Sequence, residues 1–299
     1  MPPNQAPADT AARSLAHWSE DGRRTMEAFY ALARLDYRLL AAELDYPALL
    51  RGVADRAGDR PLTLLDVACG SGKFPETLLS DTGVASLADE GLRIDYDLLD
   101  PAPFSIVEAA AVLRPPFQEA ARHEVTLEGL DPAVGPFDVV WATHALYALE
   151  PARIEDAARR FVAALAPHGV GLLAQGTHDG HYLAFYRAFL EGVRGGQGTE
   201  YVSCERFTDA LREAGAGATH EVDVRRLSYE HVVADDDRDV LEGFLQRCAF
   251  DDTVSLEEMR AAPVLGDYLA SCHDADAGVH RFRQEVDLVL LTPNDGTSA

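Results

Sequence analysis

An apolar run leads directly into two glycines and a helix start in the stretch Leu-Leu-Asp-Val-Ala-Cys-Gly-Ser-Gly-Lys-Phe. Gly70 and Gly72 let the backbone adopt positive φ and approach a bound ligand closely. A phosphate-binding P-loop is excluded because Val67 and Phe74 replace its first glycine and its final Ser/Thr. A dinucleotide-binding fingerprint is a weak alternative because Pro75 stands in place of its third glycine. These departures favour a third class of ligand-binding loop.

Two acidic residues end the next predicted strand, in the stretch Tyr-Asp-Leu-Leu-Asp-Pro. A carboxylate at the carboxyl end of a second parallel strand can accept hydrogen bonds from both hydroxyls of a ribose. Asp100 is the better placed of the two, and Asp97 is the alternative. The separation between Gly72 and Asp100 exceeds the roughly 20 residues typical of dinucleotide folds. This longer separation predicts an inserted turn near residues 82–90.

A histidine and a tyrosine follow the strand predicted over residues 137–143. His144 comes directly after that strand, and its imidazole is a candidate general base in a ligand pocket. The alternative for His144 is a structural hydrogen bond. Tyr147 is a candidate for substrate contact, and the apolar residues around it fit a core position equally well.

A second polar group follows the strand predicted over 170–176 and comprises His178, Asp179, His181 and Tyr182. His178 is the second candidate base, and His181 and Tyr182 are candidates for contact with a substrate. The alternatives are a solvated helix start and a metal site. No third ligand segment for a metal is evident, so no metal is expected.

Short apolar runs alternate with amphipathic segments from Pro61 onward, and this alternation predicts a parallel α/β sheet. The predicted strands are 62–68, 93–99, 137–143 and 170–176, and the helices between them are 73–80, 105–113 and 151–165. Ser105 with Glu108 and Ser255 with Glu258 each fit a helix-capping box. The strand ends are expected to bring the polar residues described above to one pocket.

Predicted helices precede and follow this sheet in the sequence. Residues 14–54 read as amphipathic helix and carry Asp36 and Tyr37, two further candidates for substrate contact. The later elements are a helix at 205–214, a strand at 220–233, helices at 239–249 and 256–271, and a last strand at 282–291. The expected organisation is a tail and helical cap at 1–60 and a sheet domain at 61–292, with a helical insert at 235–275.

Asp66 to Gly72 has the form D/E-x-x-x-G-x-G and resembles the first motif of Rossmann-like S-adenosylmethionine-dependent methyltransferases. This resemblance implies a doubly wound, mostly parallel sheet with an antiparallel last strand, N-terminal helices and a helical insertion before the last strand. It implies S-adenosylmethionine as the cofactor. The cofactor contacts that it implies are Asp66, Ala68, Cys69, Gly70, Ser71, Gly72, Asp100, Pro101 and Thr143.

The C-terminal part resembles histamine N-methyltransferase in the stretch from Val240 to Phe250, the helix from Ser255 and the last strand. The resemblance implies N-methylation of a small-molecule amine, and either Asp36 or Glu43 is a candidate for the amine-binding acid. One alternative is O- or C-methylation of a specialised metabolite with a histidine as base. Another is a scaffold that binds S-adenosylmethionine without transferring its methyl group.

The balance of charges narrows the range of partners. The 299 residues contain 26 Lys+Arg and 50 Asp+Glu, which gives a formal charge of −24. Such a surface repels nucleic acids and anionic membranes, and it favours a cationic or neutral small molecule. The first nine residues lack the pattern of a signal peptide, and the four cysteines are scattered, so a cytoplasmic protein with free thiols is expected. The sequence does not indicate the oligomeric state.

Overall fold

The computed structural model describes residues 9–18 and 23–294, and eight strands within these ranges form one sheet. The strands are β1 (Leu62–Val67), β2 (Ile94–Leu99), β3 (Phe117–His123), β4 (Phe137–Thr143), β5 (Leu165–Gly176), β6 (His220–Ala234), β7 (His273–Asp274) and β8 (Val279–Pro293). Their spatial order is β3-β2-β1-β4-β5-β8-β6, and β7 pairs with β8. Strands β1 to β5 are parallel, whereas β8 runs antiparallel to both β5 and β6. The predicted fold class is therefore confirmed.

Helices cover both faces of the sheet. They are α1 (Thr10–His17), α2 (Arg23–Glu43), α3 (Tyr46–Ala57), α4 (Lys73–Asp81), α5 (Pro103–Val112), α6 (Ile154–Ala164), α7 (His181–Gly192), α8 (Cys204–Glu213), α9 (Ala216–Thr219), α10 (Arg238–Ala249), α11 (Leu256–Ala261) and α12 (Pro263–Ser271). Helices α3, α4 and α5 share one apolar layer with the sheet, and α6 and α8 share another. Strand β4 is buried along almost its whole length because both of its faces are covered.

A third apolar cluster joins the helices of the late insert to the sheet. It contains residues of α7, α10, α11 and α12 together with Phe282 of β8. Helix α2 packs against α10, so the N-terminal helices and the insert lie next to each other in the fold. None of the helices in residues 9–18 and 23–294 is both long and apolar enough to cross a membrane.

Several predicted elements differ from the structure for local reasons. Strand β3 was not predicted because its sequence is mostly polar, and it is exposed over most of its length at the edge of the sheet. The helix predicted over 256–271 is broken into α11 and α12 at Pro263, whose ring cannot continue the first helix. The capping box at Ser105 is wrong, because α5 begins two residues earlier at Pro103 and Ser105 is buried inside the helix. The capping box of Ser255 and Glu258 is confirmed.

Candidate active site

The glycine loop joins β1 to α4 in a left-handed backbone conformation. Ala68, Gly70 and Gly72 all have positive φ, of 52°, 52° and 71° respectively. A Cβ at Gly72 would lie 2.6 Å from Cγ2 of Val112 and 2.9 Å from Cα of Ala109, so α5 leaves no room for a side chain there. Ala68 adopts positive φ without the freedom of glycine, and such backbone strain is concentrated at functional sites.

Asp100, which follows β2, forms hydrogen bonds with the glycine loop. Its carboxylate accepts hydrogen bonds from the backbone N–H of Gly70 at 3.0 Å and of Ala102 at 2.8 Å. Burial raises the pKa of Asp100 to about 6, although the two backbone N–H groups favour the ionised form. The alternative acid, Asp97, instead lies 2.8 Å from Nε2 of His123 and does not line the cavity beside the loop. Asp100 is therefore the acid that the fold places at the loop.

A cavity of about 480 Å³ lies at the carboxyl edge of the sheet. Its walls come from the ends of β1, β2 and β4 and from residues of α1, α2 and α10. Eight of the nine expected cofactor contacts line it, namely Asp66, Ala68, Cys69, Gly70, Ser71, Asp100, Pro101 and Thr143. The ninth, Gly72, faces α5 instead. The volume falls within the range of pockets that bind small molecules.

Two further contacts shape the part of the cavity beside the loop. Asp66 is buried and accepts a hydrogen bond from the Tyr96 hydroxyl at 2.6 Å. Burial raises the pKa of Asp66 to about 7, and the hydrogen bond from Tyr96 opposes this shift. The Ser71 hydroxyl lies 3.0 Å from the hydroxyl of Tyr30 on α2, so the N-terminal cap touches the glycine loop directly.

His144 lies at the end of β4 and lines the cavity. Its φ is 51°, and its backbone N–H donates to the carbonyl of Ala174 at 2.7 Å. Its Nδ1 lies 2.8 Å from the Tyr147 hydroxyl, which accepts a hydrogen bond from the backbone N–H of Gly176 at 2.9 Å. Burial lowers the pKa of His144 below 6.5, so the ring is neutral at pH 7. Its Nε2 has no hydrogen-bond partner in the part of the chain that the structure describes.

A buried carboxylate lies close to this histidine. Asp36 of α2 accepts hydrogen bonds from the Tyr182 hydroxyl at 2.7 Å and from Nε2 of His231 at 2.6 Å. Burial acts to raise the pKa of Asp36, but attraction to His231 and the two hydrogen bonds outweigh burial and lower it. Glu43, the other candidate acid, is exposed at the end of α2 and does not line the cavity.

Two of the predicted catalytic and substrate-contact residues do not line the cavity. His178 is exposed outside it, and its backbone carbonyl accepts a hydrogen bond from Arg187 at 2.9 Å. His181 is buried in the third apolar cluster, where its ring centroid lies 4.4 Å from that of Phe282 and its Nδ1 lies 2.7 Å from the Tyr268 hydroxyl. The structure therefore does not bring these two residues to the cavity: His178 is exposed, and the ring of His181 lies against β8. By contrast, Asp36, Tyr37, Tyr147 and Tyr182 do line the cavity.

Two residues that sequence reasoning missed belong to this site. His231 of β6 holds Asp36, and Arg247 of α10 lines the cavity although it is almost completely buried. A histidine in a strand and an arginine in an amphipathic helix carry no local motif. The sequence signal for Arg247 is a long cationic side chain within a mostly apolar helix segment.

A group of three metal-ligating side chains lies outside the cavity. Asp235, His273 and His280 place one ligand atom each within 4.8 Å of one another. Nε2 of His273 lies 2.9 Å from Oδ2 of Asp235, and Nδ1 of His280 lies 3.2 Å from Oδ1 of the same carboxylate. Nε2 of His280 lies 3.4 Å from Nη2 of Arg260.

Residues 65–170 match the family model described as a methyltransferase domain. This segment contains the glycine loop, Asp100 and His144. This match agrees with the predicted enzyme class, a methyltransferase, and with S-adenosylmethionine as its cofactor. No curated protein sequence matches the chain, so the resemblance to histamine N-methyltransferase stays a prediction.

Several solved structures resemble this chain at low sequence identity. One described as a putative methyltransferase of Bacillus halodurans is 16% identical, with a TM-score of 0.51 over 83% of this chain and 100% of that one, and it shares the fold. The YcgJ protein of Bacillus subtilis is 14% identical, with a TM-score of 0.49 over 84% of this chain and 100% of that one. The plantazolicin methyltransferase BpumL, solved in complex with S-adenosylhomocysteine, is 13% identical, with a TM-score of 0.48 over 94% and 95% of the two chains.

The residues of the matched segment fit S-adenosylmethionine as the cofactor. A Cβ at Gly70 would meet nothing within 4 Å, so the space beside the loop is open. Two backbone N–H groups leave lone pairs on the Asp100 carboxylate, and carboxylates at this position of related folds accept ribose hydroxyls.

Proposed function

We propose that this chain transfers a methyl group to the nitrogen of a small-molecule amine in the cavity at the carboxyl edge of the sheet. The observation that carries the proposal is the position of His144. A neutral imidazole with an unpartnered Nε2 lines the cavity that also contains the glycine loop and a buried carboxylate. We further propose that Asp100 binds the ribose and the loop binds the rest of the cofactor.

Aromatic rings and a negative charge surround the acceptor end of the cavity. The ring of His144 lies 5.9 Å from that of Tyr37 and 6.2 Å from those of Tyr147 and Tyr182, measured between centroids. The carboxylate of Asp36 lies behind Tyr182 and is ionised. Aromatic faces and a carboxylate both attract a cation, which favours the approach of a protonated amine.

His144 has a defined task in this reaction. S-adenosylmethionine supplies a methyl carbon that is already activated as a sulfonium, so the protein mainly positions and deprotonates the acceptor. An ammonium proton passes to Nε2 of His144, which frees the lone pair of the amine nitrogen. This transfer requires the tautomer in which Nδ1–H donates to the Tyr147 oxygen. Asp36 then stabilises the imidazolium, because its charge favours the protonated ring.

The proposal also covers the expected partners, location and domain division of the protein. The charge of −24 supports a small cationic acceptor and argues against nucleic acid as a substrate. We also propose a cytoplasmic enzyme of specialised metabolism. Its expected division is a cap at 1–60 and a sheet domain at 61–292, with the insert at 235–275.

The test is formation of S-adenosylhomocysteine from S-adenosylmethionine with a panel of amines, phenols and carboxylic acids, read by mass spectrometry. A methylated amine supports the proposal, and fragmentation of the product locates the new methyl on nitrogen. A methylated phenol or carbon with every amine inert would replace it by the O- or C-methylation alternative. Cofactor binding with no methyl transfer to any compound would favour the alternative of a scaffold that binds S-adenosylmethionine without transferring its methyl group.

A pair of histidine variants separates the site from the surface. His144→Gln removes the proposed base from the cavity, and His178→Gln makes the same chemical change on an exposed residue outside it. Loss of transfer in His144→Gln alone is the expected result. Equal activity in the two variants would remove His144 from the reaction.

A further inference from the structure

Arg247 is a buried cation at the cavity. It lies in the last turn of α10, is 2% exposed and lines the cavity. Its Nη1 donates to the carbonyl of His17 at 2.5 Å, and its guanidinium carbon lies 3.9 Å from the centroid of the Trp18 ring. Within residues 9–18 and 23–294, its Nε and Nη2 have no hydrogen-bond partner.

The two unpartnered nitrogens form the edge of the guanidinium that this protein uses elsewhere for carboxylates. Arg51 binds Glu90 through Nε and Nη2, both at 2.7 Å. Arg226 binds Asp287 through the same two atoms at 2.7 and 2.9 Å. Paired N–H groups on this edge match the two oxygens of a carboxylate, which makes the contact bidentate. In Arg247 the same two nitrogens are buried, and neither has a hydrogen-bond partner in the described part of the chain.

Among the acids in residues 9–18 and 23–294, none pairs with this edge. Asp251, four residues further along, pairs with Arg194 and accepts a hydrogen bond from the Thr253 hydroxyl at 2.6 Å. Burial lowers the pKa of Arg247 to about 10, so the side chain still carries its charge at pH 7. An uncompensated charge in the interior is costly, and a ligand that supplies the counterion removes that cost.

We propose that the Nε and Nη2 edge of Arg247 binds a carboxylate of the methyl acceptor. The inference rests on the proposed function and narrows its substrate class to a small molecule that carries both an amine and a carboxylate. The amine lies towards Asp36 and His144, and the carboxylate lies towards α1 and α10. The carboxylate is chosen because the same two atoms of Arg51 and Arg226 bind carboxylates in this protein.

The test measures binding without turnover. The protein is saturated with S-adenosylhomocysteine and titrated with tyramine, 4-hydroxyphenylpropionate and tyrosine, which carry the amine, the carboxylate or both. The readouts are thermal shift and calorimetry. We expect tyrosine and 4-hydroxyphenylpropionate to stabilise the wild type, and Arg247→Met to weaken both by about 30-fold or more. Arg51→Met, which loses an exposed pair outside the cavity, is the matched control and should bind as the wild type does.

Arg247→Lys keeps the charge and removes the bidentate edge, so it stays informative if the methionine variant fails to fold. An intermediate loss of carboxylate affinity is expected for it. Carboxylate probes that do not bind the wild type, or that bind both variants equally, overturn the proposal.

A second arm distinguishes the acceptor from the cofactor as the source of the carboxylate. Arg247→Met should leave the affinities for S-adenosylhomocysteine and for 5′-methylthioadenosine, which lacks the carboxylate, unchanged. A loss of affinity for the first compound alone would assign Arg247 to the cofactor and overturn the proposal. Carboxylate binding that depends on Arg247, without any methyl transfer, would contradict the proposed function and support the carboxylate site. Methylation of amines that is unchanged in Arg247→Met would support the proposed function and contradict the carboxylate site.

Discussion

Nδ1 of His144 lies 2.8 Å from the hydroxyl of Tyr147, three residues later in the same loop. The Tyr147 hydroxyl is itself held by the backbone N–H of Gly176 at the end of β5. The contact therefore links the ends of two adjacent parallel strands and fixes the imidazole between them. Nε2 is then the ring nitrogen that has no hydrogen-bond partner among the described residues.

Replacing His144 by glutamine should lower kcat by about 10²- to 10⁴-fold, because the variant retains a polar side chain and loses the base. Affinity for S-adenosylhomocysteine, measured by calorimetry, should stay within about twofold of the wild type. His178→Gln is the control with unchanged kcat. A His144→Gln variant that binds the cofactor poorly and turns over normally when saturated would contradict the role of a base.

The acid limb of the pH profile should report the pKa of His144. Burial lowers that pKa below 6.5, and a base acts only when neutral, so kcat/KM should stay high at pH 6.5 and fall at lower pH. The charge of Asp36 raises the pKa of His144, so Asp36→Asn should move the acid limb to still lower pH. A limb that moves to higher pH in this variant would show that another group titrates.

Asp100→Asn should weaken cofactor binding by about tenfold or more, because an amide offers one acceptor oxygen where the carboxylate offers two. Asp97→Asn is the control and should bind normally, since Asp97 lies on His123 away from the cavity. The pKa of Asp100 is raised to about 6, so the wild-type affinity for S-adenosylhomocysteine should fall as the pH drops below that value. Equal loss in the two variants would contradict the assignment.

Alanine at the two glycines of the loop should give two different defects. Gly72→Ala places a Cβ 2.6 Å from Val112 and should cost about 2 kcal/mol or more of unfolding free energy, measured in urea. Gly70→Ala meets no atom of the protein, so its stability should fall by only about 1–2 kcal/mol from positive φ. Its cofactor affinity should fall strongly, because the new methyl occupies the open space beside the loop. The reverse pattern would place the ligand elsewhere.

Local sequence patterns were sufficient for the centre of the sheet. Strands β1, β2 and β4 were predicted to within a residue, because each is a short apolar run bounded by turn residues. The loop and Asp100 follow β1 and β2 directly, so their positions come with the strands. The polar edge strand β3 and the break at Pro263 were missed because each departs from the pattern expected of its element.

The sequence by itself determined the glycine loop and the acid beside it, because a loop and an acid after two successive strands are properties of consecutive residues. The tertiary structure alone decided which histidine enters the cavity, since His144 and His178 both follow parallel strands and, of the two, His144 lines it. The pairing of Asp36 with His231, 195 residues apart, and the position of Arg247 beside α1 arise from packing between distant segments. Packing of this kind leaves no periodic trace in the chain, because it depends on which faces of the helices meet after folding.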